Sequence, residues 1–439
     1  MKHTYKSVLQ VVLNTAFFCF LFFVIASCGK EIETSPINFK VEQIPGSKNH
    51  SPNGTWWGYN QSKIVRFGNT VYMYVIDNQN IDINPNPNAS NPSKIVLYRK
   101  EDDNSWQKGA SFNTSRPGNI LMDSEGIVHL IVFEPTYTQS FENGAYGKLL
   151  HYWFPNCKTG DISIFNQEII VDNDGVSQGE TVNMRVGASI GDDDMISVSF
   201  GLNKGHQIYY KEKNGIKWQM EYAWQNLNSD VYYPYVISTD FGLGILAIQD
   251  NFVGENMPNI YQKIFYFERK SGIWTPETII DLQNNALAST RPQLVENCDI
   301  FQDRNKQIHL LYQTRLNPAD PWLNTFYLAT QTISGWEHKE ISISEESTNW
   351  LRMIEIQGTQ YFLCTSWDKL YVKKGIDGQF YEIPIPKMSG IYVYINSPRG
   401  GTKTNENFID ILLLNGNSND YPNAKNYYLR IEKSEFLKL

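Results

Sequence analysis

The sequence predicts an all-β fold, a seven-bladed β-propeller built from four-stranded antiparallel blades. Two observations carry this prediction. A Tyr-rich strand followed eight or nine residues later by Trp or Phe recurs along the chain, and turn residues separate the apolar runs between these copies. A repeat of roughly 40 to 60 residues that contains four strand-like runs is typical of propeller blades.

The spacing of the repeated tryptophans sets the period. Trp106 and Trp218 are 112 residues apart, and Trp218 and Trp274 are 56 residues apart, which is half that distance. One further copy is therefore expected between the first two, at residues 149–152. Seven units of about 55 residues account for roughly 385 residues of the chain. The other copies of the Tyr-rich strand are residues 96–99, 208–211, 264–267, 325–327 and 370–373.

Each blade is expected to begin with an innermost strand that is apolar on both faces. These strands begin near Ser62, Asn119, Met184, Pro234, Pro292, Leu351 and Ile391. Residues 37–41 are predicted to add an outer strand to the last blade, so that the ring closes without an open edge. The connections that enter the innermost strands and those that join second to third strands share one face, and the long loops on that face are where recognition is expected.

The N-terminus has the pattern of a lipoprotein signal peptide. Lys2 and Lys6 precede an apolar run over residues 8–25, and Ala26 and Ser27 place small residues directly before Cys28. This predicts a signal peptide over residues 1–27, a lipidated tether over 28–36 and the propeller over 37–439. The alternative is a retained membrane anchor. The predicted location is the bacterial outer membrane, facing the periplasm or the cell surface, with a membrane contact through the lipid on Cys28.

Charge and cysteine content limit the kinds of partner and cofactor that are expected. The formal net charge of −8 becomes −10 when the signal peptide removes two lysines and no acidic residue, so a nucleic-acid partner is not expected. We expect a monomer. Cys157, Cys298 and Cys364 have no metal-ligand spacing and are expected to be unpaired, with one disulfide as the alternative. No metal or other cofactor is expected, although a structural Ca²⁺ is left open.

Aromatic and cationic residues at the loop face form the predicted binding site. Flat rings stack on the apolar faces of sugars, and the candidates for substrate binding are Tyr59, Tyr232, Trp350 and Trp367. Arginines recur where the chain enters innermost strands, at Arg116, Arg185, Arg291 and Arg352. Guanidinium groups that converge on a channel mouth bind carboxylates well, so Arg116, Arg185 and Arg291 are predicted to bind a uronic acid. The alternative is that each arginine pairs with a neighbouring blade.

The catalytic candidates are His50, His206 and Tyr233. A histidine can act as general acid or base near neutral pH, and His206 lies in a loop of the predicted recognition face, whereas His50 precedes the first blade. His129 and His309 occupy the same place in two different blades, which favours a role in bracing the repeat.

Several short motifs resemble those of the BNR-repeat neuraminidase-like propellers. They are the run NGTWWGY at 53–59, GNTVY at 68–72, and the Arg-Pro pairs at 116–117 and 291–292 that lead to Val-His-Leu and Ile-His-Leu. That group includes sialidase-like proteins, lyases of uronic-acid polysaccharides and exo-rhamnosidases. The Asp-box of sialidases is absent. In rhamnosidase-like members a histidine near the start of the propeller is the acid/base, and His50 matches by position.

The predicted function is cleavage of an acidic, uronic-acid-containing polysaccharide or oligosaccharide by lyase or glycoside hydrolase chemistry. In β-elimination an arginine would neutralise the uronate carboxylate while Tyr233 or His206 removes the C5 proton. In hydrolysis His50 would transfer the proton. The alternative is a carbohydrate-binding lipoprotein without catalytic activity.

Overall fold

The computed structural model describes residues 33–46, 54, 58–77, 90, 92–114, 116–136, 147–172, 186–202, 205–225, 231–239, 242–251, 260–282, 294–316, 324–343, 348–366, 368–388, 390–396, 407–416 and 425–439. The backbone of His206 is included, but its side chain is not. Structural statements below concern these residues alone.

The described residues form seven sheets, which confirms the predicted seven-bladed propeller. Blade 1 contains β3 (Ile64–Phe67), β4 (Thr70–Asp77), β5 (Ser93–Glu101) and β6 (Gln107–Thr114). Blade 2 contains β7 (Asn119–Met122), β8 (Val128–Pro135), β9 (Gly147–Phe154) and β10 (Asn166–Asp172). Blade 3 contains β11 (Val186–Ile190), β12 (Ile196–Leu202), β13 (Gly205–Lys211) and β14 (Gln219–Gln225).

The remaining blades repeat this order. Blade 4 contains β15 (Val231–Thr239), β16 (Gly242–Asn251), β17 (Ile260–Lys270) and β18 (Ile273–Asp281). Blade 5 contains β19 (Leu294–Gln302), β20 (Ile308–Arg315), β21 (Asn324–Thr332) and β22 (Gly335–Ile341). Blade 6 contains β23 (Thr348–Ile356), β24 (Thr359–Ser366), β25 (Lys369–Lys374) and β26 (Phe380–Ile383). Blade 7 contains β27 (Ile391–Ile395), β28 (Phe408–Asn415) and β29 (Tyr427–Glu432), and a short helix, α1 (Lys433–Phe436), follows it.

The N-terminal strands complete the last two blades. β2 (Phe39–Gln43) pairs antiparallel with β29 as the outer strand of blade 7, so the closing strand is present as expected, two residues further along the chain. β1 (Glu33–Thr34) pairs in parallel with β26 at the outer edge of blade 6. Ordered pairing therefore begins inside the segment that was predicted to be a tether.

The antiparallel order gives the propeller two distinct faces. The upper face is the end at which the chain enters the first strand of each blade and passes from the second strand to the third. The lower face carries the turns between first and second strands and between third and fourth strands. Lys213, in a turn of blade 3, binds Glu125 at 2.7 Å and Asp194 at 2.9 Å, in turns of blades 2 and 3, so both kinds of turn lie together on the lower face.

Seven apolar clusters hold the ring together, one at each junction between neighbouring blades. Residues of both faces of a blade take part because each sheet is covered on both sides, as in the first strand of blade 2, where all four residues are buried. Burial of apolar area at every junction is the main force that favours the ring. Cys157, Cys298 and Cys364 are free and buried, as expected.

A buried ion pair joins the first and last blades. Arg66 in β3 donates to both carboxylate oxygens of Asp410 in β28, each at 2.7 Å. Tyr428 and Asn396 also donate to this carboxylate. Both members of the pair are almost fully buried, so each depends on the other for charge compensation.

The two repeated histidines have the same environment. Asp123 accepts hydrogen bonds from the backbone of its own turn and faces His129 at 3.4 Å. Asp303 does the same in blade 5 and faces His309 at 3.2 Å. Each histidine thus ties a second strand to the preceding turn, which is the bracing arrangement that the repeat suggested.

Within the described part of the chain, no helix is long and apolar enough to cross a membrane.

We expect Asp410→Ala to lower the free energy of unfolding by about 3–5 kcal/mol, because Arg66 would be left buried without its carboxylate. The control is Lys40→Ala, which breaks the exposed pair between Lys40 and Asp103 and should cost less than about 1 kcal/mol. Denaturant unfolding measures both. Equal losses in the two variants would contradict the closing role of the buried pair.

Acid should weaken the outer part of blade 2 through His151. Burial lowers the pKa of His151 to about 4, and the Glu168 carboxylate, 2.8 Å away, only partly opposes this. Between pH 6.5 and 4 the unfolded chain binds a proton that the native protein does not, so stability is lost as the pH falls, by on the order of 3 kcal/mol. His151→Gln should flatten the dependence of unfolding free energy on pH between 7 and 4.5; an unchanged slope would refute the assignment.

Candidate functional site

The segment Gly58–Lys63, here called the axial segment, crosses the upper end of the central channel. It precedes blade 1, yet Asn60 donates its side-chain amide to the carbonyls of Val186, at 3.2 Å, and Pro234, at 2.8 Å. Those residues belong to blades 3 and 4, on the other side of the ring. The segment therefore fills space that the seven first strands leave open along the axis.

Gly58 is required at the start of this segment. Its φ is +68°, a conformation that favours glycine, and a Cβ atom there would lie 2.7 Å from Cβ of Pro117 and 2.2 Å from Oε1 of Gln61. Because Pro117 is a rigid ring, these contacts leave no room for a larger side chain. The turn that directs Tyr59 toward the axis thus depends on this glycine.

Tyr59 is enclosed in a stack of three rings. Its ring lies 4.7 Å from Tyr233 and 4.9 Å from Trp350, with interplanar angles of 28° and 20°. Its hydroxyl donates to Oδ1 of Asn297 at 2.9 Å, and Nδ2 of Asn297 donates to the carbonyl of Tyr233 at 2.9 Å. Tyr59 is 3% exposed. Blades 4, 5 and 6 thus all contact one ring of the axial segment.

The backbone of Tyr59 is held as firmly as its ring. Its carbonyl accepts hydrogen bonds from Arg352 at 2.5 Å and from the Tyr235 hydroxyl at 3.2 Å. Burial alone would lower the pKa of Arg352, but Tyr235 and Asp299 outweigh it and raise that pKa above its ordinary value. Arg352 therefore stays charged and its guanidinium serves the main chain, as in the alternative considered for the recurring arginines.

The rings and donors meet here because three successive first strands carry one extra residue at the same level. The register shifts between Tyr232 and Tyr235 in blade 4, between Asn297 and Asp299 in blade 5, and between Asn349 and Arg352 in blade 6. Bulges of this kind bend a strand and redirect its side chains, and they are frequent next to functional sites.

Two of the bulged residues have a strained backbone. Tyr233 has φ of +49° and Trp350 has φ of +45°. Such values are uncommon for bulky side chains outside turns and cost on the order of 1–3 kcal/mol each, so they persist only where the surroundings enforce them. Both strained residues are the partners of Tyr59, and strain of this kind clusters at functional sites.

Arg116 and Glu296 place opposite charges beside this stack. Arg116 is buried near Tyr233, and burial lowers its pKa to about 10, which leaves it protonated at neutral pH. Burial raises the pKa of Tyr233 to about 12, although the Arg116 guanidinium acts in the opposite direction. Glu296 forms an ion pair with Arg315 at 3.0 Å and also accepts from Gln313. Gln313 in turn accepts from the backbone N–H of Trp350 at 3.1 Å.

Below the axial segment lies a small cavity of about 30 Å³. Lys63 is buried at its wall, with Nζ 4.1 Å from the centre of the Tyr394 ring, and burial together with the nearby Arg352 charge keeps the pKa of Lys63 well below its usual range. A space of this size holds about two water molecules and no sugar ring. The cavity directly below the axial segment is therefore too small for a sugar ring, whereas a larger cleft of about 810 Å³ lies on the lower face between blades 6 and 7, beside Glu355 and Lys433.

The structure brings together five of the predicted site residues: Tyr59, Arg116, Tyr232, Tyr233 and Trp350. Trp350 is partly buried, whereas the other four are buried. His206 is placed in β13, where its backbone pairs with Gly201 and Trp224 near the upper face. His50, Arg185, Arg291, Trp367 and the lipidation site Cys28 lie outside the described residues.

The geometry bears on the sugar-stacking role expected of Tyr59 and Tyr232. Both faces of the Tyr59 ring are covered, so this ring belongs to the packing of the axis and is not open for stacking on a sugar. Tyr232 is also buried, against Tyr233 and Tyr261. Burial raises the pKa of Tyr233 to about 12 while the Arg116 charge acts in the opposite direction, so Tyr233 carries its proton at neutral pH and can donate a hydrogen bond.

Sequence reasoning missed Asn297, Glu296 and Lys63. Asn297 and Glu296 lie with Asp299 in the first strand of blade 5 between apolar residues, and polar residues in such a strand are the signal that could have found them. Among the described residues, no group of three or more His, Cys, Asp or Glu side chains could hold a metal ion.

No family model matches the sequence, and no curated protein sequence matches it. Solved structures with a similar course of the chain include the α-L-arabinanase of Penicillium chrysogenum complexed with arabinobiose, with 11% identity, 92% of this chain and 99% of that chain covered, and a TM-score of 0.44. The sialidase of Trypanosoma rangeli in complex with sialic acid shares 10% identity over 92% of this chain and 61% of its own, with a TM-score of 0.44. The α-L-arabinofuranosidase of Fusarium graminearum, bound to an iminosugar inhibitor, shares 10% identity over 93% and 99%, with a TM-score of 0.44.

We expect Tyr59→Ala to lower the free energy of unfolding by about 3–5 kcal/mol, because it removes a buried aromatic ring between two others. Tyr59→Phe is the matched control: it keeps the stack and loses one hydrogen bond, at a cost of about 1 kcal/mol. Chemical denaturation measures both variants. A Tyr59→Ala protein as stable as the wild type would show that the ring does not fill the axis.

Proposed function

We propose that this protein acts on an acidic, uronic-acid-containing glycan at the upper end of its central channel. The observation that carries the proposal is the electrostatic interaction of Arg116 with Tyr233, which stacks on Tyr59 opposite Trp350. Tyr233 and Trp350 both have strained backbone within bulges of their strands. A protonated guanidinium beside aromatic rings is the chemistry that recognises a sugar carboxylate.

Arg116 is the recurring arginine whose charge acts on Tyr233. Arg352 directs its donors to the Tyr59 carbonyl and to the Val393 carbonyl, which accepts from Nε at 3.2 Å, and Arg315 is paired with Glu296. Arg185 and Arg291 precede the first strands of blades 3 and 5 in sequence, as Arg116 precedes that of blade 2, and they remain predicted partners in binding the carboxylate.

The proposed chemistry is cleavage of the glycan. In β-elimination the arginines would neutralise the carboxylate, which acidifies the C5 proton, and His206 or Tyr233 would remove that proton. The C4=C5 double bond then forms as the C4–O bond to the leaving sugar breaks, and the leaving oxygen takes a proton from water. In hydrolysis His50 would exchange a proton with the glycosidic oxygen or with water. Elimination leaves an unsaturated uronate that absorbs in the ultraviolet, and hydrolysis does not, so the product separates the two routes.

A second candidate function is glycan binding without cleavage, and one feature of the described residues favours it. Both phenols at the centre of the site, Tyr59 and Tyr233, have pKa values raised by burial, and Glu296 is engaged with Arg315 and Gln313. A propeller that presents glycans to other enzymes needs the cation and the rings alone.

We further propose that the chain is a lipoprotein of the bacterial outer membrane, acylated on Cys28. The support is the sequence of the N-terminus, with Lys2 and Lys6 before the apolar run and small residues before Cys28. Two or three acyl chains would hold the protein on a bilayer more firmly than one.

We expect Arg116→Ala to weaken binding of a glucuronic-acid-containing oligosaccharide by roughly 10-fold to 150-fold, the loss for a charged hydrogen bond of about 1.5–3 kcal/mol. Arg116→Lys should recover part of the affinity because it keeps the charge. Calorimetry gives the affinities, and ultraviolet absorbance of the product mixture reports elimination.

The control variant is Arg430→Ala, which removes an arginine of blade 7 that pairs with exposed Asp103. It should bind the oligosaccharide like the wild type. A neutral oligosaccharide of the same length should bind all variants equally. Unchanged uronate affinity in a folded Arg116→Ala protein would contradict the proposed function.

A further inference from the structure

The lower face carries a set of exposed aliphatic side chains that the proposed glycan site does not use. They lie in, or directly beside, the connections between third and fourth strands of blades 2 to 5, and at the C-terminal end of blade 7. They are Ile164 in blade 2, Ile216 in blade 3, Ile273 in blade 4, Ile333 in blade 5 and Leu437 after α1.

The degree of exposure is unusual for isoleucine. Ile216 is 90% exposed, Ile273 is 70% exposed and Ile333 is fully exposed. Scattered apolar residues on a protein surface need no explanation, but several at equivalent tips of one face mark an interaction surface. Leu316 is an exposed aliphatic residue at the upper end of β20, and it is 50% exposed.

The pairing of the N-terminal strand with blade 6 fixes the direction of that strand. β1 runs parallel to β26, with Glu33 beside Tyr381 and Thr34 beside Glu382. β26 rises from the turn that follows Lys374 on the lower face, so β1 also runs upward and Glu33 is at its lower end.

The distance to the proposed lipid is short. Five residue steps separate Cys28 from Glu33, which allows at most about 18 Å between their Cα atoms. Acyl chains on Cys28 would therefore keep Glu33, at the lower end of β1 on the edge of blade 6, within this distance of the bilayer. A propeller held at this point rests on either its lower face or the outer edge of blade 6, and the exposed isoleucines distinguish these orientations.

We propose that the lower face is the membrane-contact surface, and that Ile216, Ile273 and Ile333 insert into the interfacial region of the bilayer. The inference rests on the proposed acylation of Cys28. Aliphatic tips gain free energy on leaving water for the acyl boundary, and they add to the hold of the lipid anchor. The upper face, with Arg116 and Trp350, then points away from the membrane toward its glycan.

The test uses the full acylated chain in vesicles of phosphatidylethanolamine and phosphatidylglycerol. Single cysteines introduced by Ile216→Cys, Ile273→Cys and Ile333→Cys carry a nitroxide, and the native cysteines Cys157, Cys298 and Cys364 are buried. Leu316→Cys is the matched control on the upper face. Collision with membrane-soluble oxygen and with a water-soluble nickel chelate reports the surroundings of each label.

The expected result is an oxygen-to-nickel collision ratio several-fold higher at the three lower positions than at Leu316→Cys. Equal ratios at all four positions would overturn the proposal. Labels on the lower face that are immobile and protected from both reagents would assign the surface to a protein partner and also overturn it.

Mass spectrometry of the purified protein checks the premise: absence of acyl chains on Cys28 would overturn the inference. No glycan enters the experiment, so its outcome is independent of the proposed carbohydrate function.

A second set of variants, with Ile216, Ile273 and Ile333 each replaced by Asp, should remain folded because these side chains are exposed. The triple Asp variant should lose the protection of the lower face from added protease that the acylated wild type shows, and unchanged protection would count against insertion of the tips.

Discussion

The carbonyl of Tyr59 is the point on which the upper end of the propeller depends. Seven first strands cannot meet on the axis, so their upper ends leave a space that must be filled. Arg352 and Tyr235 bind this carbonyl, and the Tyr59 ring then fills the space between Tyr233 and Trp350. Tyr233 and Trp350 have strained backbone. Without the Tyr59 ring between them, their rings would lose this stacking partner.

The stack also links parts of the chain that are far apart in sequence. Tyr59 precedes the first blade, whereas its contacts come from blades 4, 5 and 6. The ion pair between Arg66 and Asp410 joins the ends of the ring, so the axial segment is held both at its centre and through the blade that follows it. A rigid upper face of this kind can keep Arg116 in place for a ligand without a large rearrangement.

The blades were predictable and the site was only partly so. The 56-residue spacing of the tryptophans and the turns between apolar runs gave seven blades, because repeated packing leaves a repeated sequence. The closing strand followed from the need to cover an edge. The bulges were not predictable, since one extra residue in an apolar strand leaves the hydrophobic pattern almost unchanged. The burial of Tyr59 depends on those bulges, so its sequence neighbours suggested an exposed ring instead.

The positions of charged groups show the same limit. The sequence marked Arg116 and Arg352 as equivalent because both enter first strands, but only the three-dimensional contacts show that Arg352 serves the main chain. Glu296 drew no attention because its partner, Arg315, is 19 residues away in a different strand. Local patterns find repeats well, whereas pairings that break the repeat require the structure.

The most direct measurement of the central claim is a crystal structure of the protein with a glucuronic-acid-containing oligosaccharide. The account predicts ligand density on the upper face, with the carboxylate bound to Arg116 and the Tyr59 stack intact beneath it. Ligand density confined to the lower face, or in the position of a displaced Tyr59 ring, would contradict it.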